Sequence, residues 1–238
     1  MTLANCPVTD EVVDQLLELS HFAADADTPD DEAFDAFLSS RGWRYSAFDD
    51  SYETAAGQVV WSGHYEGTPG PSGQTAWATF SVYDPEYDGV PDADHLAAVW
   101  GRARGWTLHT DRGRGQLDAD WQAAAALLTA RFGRPCAVSG CSDPAGCSPR
   151  SERHYALWRG ADRLLCLAQD PDPFCYAHFL RNVLVVVPAA TNSPVPGPDT
   201  LTDWYAHKLL GEGEGEGGRE GEGAGVGDGA GKATLKGA

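Results

Sequence analysis

Two apolar runs, HYALWR at 154–159 and RLLCLAQ at 163–169, are separated by only Gly160, Ala161 and Asp162. A link that short cannot carry the chain across a sheet face, so the two runs must pair antiparallel as a hairpin. The same logic holds upstream, where QVVWSGHYE (58–66) and TAWATFSVYD (75–84) flank GTPGPSG, a stretch of turn formers. The second run sets Ala76, Ala78, Phe80 and Val82 against Trp77, Thr79, Ser81 and Tyr83, the period of a strand with two unlike faces. WRYSAF (43–48), 106–110, 135–139 and HFLRNVLVVV (178–187) read as further strands.

Helical patterns stand between these runs. TDEVVDQLLELSHFA places Val13, Leu16, Leu17 and Ser20 on one face, with Thr9 as N-cap and Asp10 and Glu11 in the first turn. In TPDDEAFDAFLSS, Thr28 is the expected cap and Pro29 the first helical residue. Phe34, Phe37 and Leu38 form the apolar stripe, and Gly42 is the stop. Residues 92–104 and DADWQAAAALLTARF (118–132) complete the helices. Strands joined by tight turns, with helices in blocks between them, specify an α+β fold: a mainly antiparallel sheet with helices packed on one face.

The folded unit is expected to be one domain over 1–188. AATNSPVPGPDT (189–200) reads as a proline-rich linker that leads to a short helix ending at 210. From 211 to 238 the chain carries twelve glycines among interspersed acids, too little apolar surface to offset ordering, so a disordered Gly/Glu-rich tail is expected. The start lacks a basic segment followed by an apolar one, and no apolar run approaches the ~20 residues that span a bilayer. A cytoplasmic protein is the expectation, with no membrane partner.

Charge narrows the function classes. The chain carries a formal net charge of −18. Residues 1–57 hold thirteen acids against two bases. Such a surface repels phosphate backbones, which excludes direct nucleic-acid binding, and attracts a basic protein. Arginine outnumbers lysine fourteen to three, as in products of high-GC bacterial genomes.

Three of the six cysteines fall in RPCAVSGCSDPAGCSPR (134–150). A reducing cytosol disfavours disulfides, which leaves burial or metal binding. A zinc site built from Cys136, Cys141, Cys147 and His154 has the spacing C-x4-C-x5-C-x6-H, not the close pairs of structural zinc sites. The competing reading is a connector loop, marked by Gly140, Pro144, Gly146 and Pro149. A deaminase reading, with His64 and Glu66 as H-x-E and Pro135-Cys136 as the second motif, breaks at the four residues before Cys141. DPEYDGVPDAD (84–94) lacks the spacing of a calcium loop. The chain has no nucleophile elbow, no phosphate loop and no H-E-x-x-H motif. Core packing is the expected role of the eight tryptophans.

The helix ending ALLTARFGRP, the hairpin YALWRGADRLLCLAQ and the closing strand RNVLVVVP together resemble the C-terminal half of small uncharacterised actinobacterial α+β proteins, several of them immunity-like. The resemblance rests on fold punctuation and carries across no active-site residue. It implies a non-enzymatic protein that sequesters a basic partner such as a cognate toxin. The acids expected to face that partner are Asp30, Asp31, Glu32 and Asp35 on the second helix and Asp49, Asp50 and Glu53 after it. The alternative is a zinc-binding enzyme or zinc-stabilised domain using the cysteine segment.

Overall fold

The computed structural model describes residues 2–21, 31–46, 51–63, 75–84, 96, 98, 100–140, 154–171, 179–197, 200 and 204. Its strands are β1 (Thr2–Asn5), β2 (Arg44–Tyr45), β3 (Ser51–Glu53), β4 (Val59–Gly63), β5 (Thr75–Asp84), β6 (Thr107–His109), β7 (Ala137–Gly140), β8 (His154–Arg159), β9 (Arg163–Pro171) and β10 (Leu180–Pro188). The helices are α1 (Asp10–His21), α2 (Asp31–Ser40) and α3 (Arg114–Phe132). A single sheet runs β2-β3-β4-β5-β10-β9-β8-β7, with β1 added beside β5 and β6 beside β1. Every pairing described is antiparallel. The α+β expectation holds at this level, and the 160–162 turn closes as a hairpin in which Gly160 N–H donates to Arg163 O at 2.8 Å.

Register sorts the side chains onto two faces. Val60, Ala78, Leu184, Leu167 and Ala156 line up across five strands, with Ala76, Val186, Leu165 and Trp158 in the next row. All of them join the core beneath the three helices. The opposite parity gives Leu157, Cys166, Val183, Val185 and Val187 to a second core. The pairing of β10 with β5 shifts between Asn182 and Val183, and Phe80 is the extra residue. This bulge reverses parity along β5, so Phe80 packs under the helices while Val82 joins a third cluster with Ala4, Trp100 and Trp106.

Helix ends follow the sequence. Val12 N–H donates to Thr9 Oγ1 at 3.3 Å, the expected cap. Gly42 has φ +68°; its N–H donates to Ser39 O and the Trp43 N–H to Leu38 O, both satisfying last-turn carbonyls of α2. Phe37 and Leu38 are buried and Phe34 half-buried. Thr28 and Pro29 lie outside the described residues.

Several elements differ from expectation. α3 opens at Arg114, four residues before the apolar periodicity begins. Within the expected 92–104 helix, Leu96 and Ala98 are helical and a 3-10 turn stands at Trp100–Arg102. β1 and β3 are additional strands, and among the described residues the 43–48 run contributes Arg44–Tyr45. Residues 189–197, read as linker, lie against the sheet: Ala189 belongs to the second core, and Val195 and Trp204 pack on it. Among the described residues, no helix is long and apolar enough to cross a membrane. The tail from 211 lies outside the described residues.

Candidate functional site

One register line crosses the sheet as a polar row. Thr107 pairs with Asn5, Asn5 with Ser81, Ser81 with Asn182, Asn182 with Gln169 and Gln169 with His154. Ser81, Asn182 and Gln169 are fully buried. Such groups require partners, and α3 supplies them. Asp120 accepts from Asn5 Nδ2 at 2.9 Å, Ser81 Oγ at 2.9 Å and Gln116 Nε2 at 2.8 Å. Arg114 donates to Gln169 Oε1 at 2.7 Å and to Asp118 at 2.8 Å. Gln169 Nε2 donates to Asn182 Oδ1 at 3.0 Å, and Asn182 Nδ2 to the Leu117 carbonyl at 2.7 Å.

The network extends to a histidine. Asp120 holds the Nδ2 side of Asn5, which leaves Oδ1 facing His109 Nε2 at 3.3 Å. Chemically, the row's carboxylate, hydroxyl and amides are engaged with one another, with Arg114 and with Leu117 O. Its effect is to lock α3 onto the sheet at a single register.

A second charged arrangement lies on the outer helices. Asp10, Glu11, Asp14 and Glu18 are exposed on α1, and Asp35 is exposed on α2. Arg131 of α3 pairs with Asp14 and reaches Asp10 at 3.9 Å, and Arg41 holds Glu18. An open groove of about 580 Å³ between α1 and α3 is lined by Asp10, Asp14, Leu127, Ala130 and Arg131. Asp35 accepts from the hydroxyl of Tyr45, which is 69% exposed on edge strand β2.

The expected partner-facing acids separate in this setting. Asp35 stands on the outer surface, and Asp31 and Glu32 begin the same helix. Glu53 is buried and accepts from Arg44 at 2.7 Å, so its carboxylate is spent inside the fold. Asp30, Asp49 and Asp50 lie outside the described residues.

The expected zinc ligands are not brought together where they are described. Ala137 pairs with Leu157 and Gly140 with His154, so Cys136 and His154 stand about four strand residues, roughly 13 Å, apart. Two ligands of one zinc ion lie within about 4 Å of each other. The Cys136 thiol donates instead to Leu157 O at 3.1 Å, and the His154 ring contacts Trp121 at 5.8 Å. Cys141 and Cys147 lie outside the described residues. Among the described residues, no group of three or more His, Cys, Asp or Glu gathers in a metal-holding arrangement. Cys6 and Cys166 are buried, and burial pushes the Cys6 thiol up to about 11 and the Cys166 thiol higher still.

No protein-family model matches the chain, and neither a curated protein nor a solved structure matches it.

Sequence reasoning missed Asn5, Ser81, Asp120, Gln169 and Asn182. The available signal was a polar residue inside each of three strongly apolar strands. Only the register makes those residues one row.

Proposed function

We propose that the chain is a non-enzymatic binding protein that takes a basic protein partner on its outer helical layer, as immunity proteins take toxins. The observation that carries this reading is the row of exposed carboxylates along α1, continued by Asp35 on α2, in a chain of net charge −18. Opposed charge of that kind steers encounter and blocks wrong partners. Arg41 and Arg131 temper the layer without neutralising it, because among the described residues of α1 and α2 five exposed acids face these two arginines.

The test is co-expression with the basic protein encoded beside this gene, followed by pull-down. Capture by the wild type, lost in Asp31→Lys/Glu32→Lys/Asp35→Lys, supports the reading. Equal capture by both removes α2 as the surface. One zinc per chain by elemental analysis of the purified protein removes the purely acidic-binder account.

A further inference from the structure

The second face of the sheet carries an apolar surface over β8, β9 and β10, in which Leu157, Cys166 and Val185 are neighbours on one register row. Among the described residues, the side chains laid over it from beyond the strands come from Ala189, Val195 and Trp204. The segment bearing the first two has no helix or strand. Pro188 closes β10, and Pro194 and Pro196 have no N–H to give to a ladder, so the segment cannot become an eleventh strand.

Among the described residues, its polar attachments to the rest of the fold converge on one hairpin. Arg159, the last residue of β8, donates to Ala190 O at 3.2 Å, Thr191 O at 3.2 Å and Ser193 O at 2.5 Å. The turn that follows Arg159 accepts the rest: Thr191 Oγ1 donates to Ala161 O at 3.0 Å and Ala189 N–H to Asp162 O at 3.0 Å. Three of these five bonds depend on a single guanidinium. By contrast, β9 and β10 are joined along nine consecutive residue pairs.

We propose that residues 189–197 are a strap that opens from the second face as one unit while the sheet stays folded, with Arg159 as its latch. Segments held by few bonds, with little ladder hydrogen bonding, open at free energies well below global unfolding. Opening uncovers the row containing Cys166 and leaves Cys6, which packs in the separate cluster with Val59 and Trp106, covered. The two buried thiols therefore report on two different events.

The experiment is native-state alkylation of the full chain, read by mass spectrometry at Cys6 and Cys166, comparing wild type with Arg159→Met. When closing outpaces labelling, the rate follows the population of the open form. The expected result is a rise of tenfold or more at Cys166 with the Cys6 rate unchanged. Equal acceleration at both sites, or no change at Cys166, overturns the proposal. Should Arg159→Met fail to fold, Thr191→Val and Val195→Ser loosen the strap separately and must give the same selectivity, with equal or absent effects again overturning it.

Discussion

Asn182 and Gln169 face each other across β10 and β9, and their amides bond at 3.0 Å with neither side chain exposed. Asn182 also donates to Leu117 O and Gln169 accepts from Arg114, so the pair joins the sheet to the first turn of α3. Asn182→Leu strands the Gln169 amide N–H in a dry site, at a cost of about 1–3 kcal/mol, and takes the side-chain donor from Leu117 O, which keeps its helical partner. A loss of at least ~2 kcal/mol in urea unfolding is expected. The double variant Asn182→Leu/Gln169→Leu is expected to lose less than the sum of the singles, because both ends of one bond are removed together. Strict additivity would show that the pair does not act as a unit.

Two glycines mark a place where the backbone crosses itself. Gly57 has φ +98°, and a Cβ there would lie 1.6 Å from Arg104 O. Gly105 has φ +81°, and its Cβ would lie 2.2 Å from Ala56 O. The Trp106 indole donates to Gly57 O at 3.1 Å and seals the crossing. Gly105→Ala is therefore expected to destabilise by about 3 kcal/mol or more, whereas Gly115→Ala, with open space around it, is expected to stabilise α3 slightly. Thermal unfolding of the two variants side by side tests both.

Apolar periodicity and short links make the hairpins and α1 legible in the sequence, since both signals are local. β1 is hidden there because Thr2–Asn5 is four residues long and half polar, and it becomes a strand only between β5 and β6. β3 is hidden because Tyr52 and Glu53 sit in an acidic stretch, and Glu53 is stabilised there by Arg44 from β2. The strap reads as a linker for the same reason. Its prolines are visible, but the guanidinium that holds it comes from the far end of β8. The polar row requires five registers at once, which no single window contains. Of the acidic surface, Asp35 is legible and Glu53 is not, because exposure of a carboxylate depends on a cross-strand neighbour.

Arg163 closes the C-terminal end of α1 from the far side of the domain. Its guanidinium, almost wholly buried, donates to Ser20 Oγ at 2.9 Å, Ser20 O at 3.0 Å and His21 Nδ1 at 2.9 Å, and lies 3.2 Å from Asp162. Burial lowers its pKa and Asp162 partly restores it. Because the fork geometry serves several acceptors at once, Arg163→Lys is expected to recover less than half of what Arg163→Met loses. The expected loss for Met is about 3 kcal/mol, since buried hydrogen bonds to a charged donor are each worth about 1.5–3 kcal/mol. Full rescue by lysine in chemical denaturation would assign the role to charge alone.

Cys6 supplies a prediction about alkaline pH. Burial among Val59, Trp100 and Trp106 holds its thiol neutral and raises its pKa from the ordinary thiol range near 9 to about 11. The folded state therefore keeps a proton that the unfolded chain releases. The associated stability is fully present below about pH 8.5 and is lost as pH rises through about 11, with an upper bound of about 2–3 kcal/mol. Cys6→Ala gives up some packing at every pH but has no thiol to ionise. Its stability curve is expected to lie below wild type at about pH 8 and to converge on it by about pH 10.5. Unfolding free energies of the two proteins at half-unit steps provide the measurement, and parallel curves over that interval would remove Cys6 ionisation as a source of alkaline sensitivity.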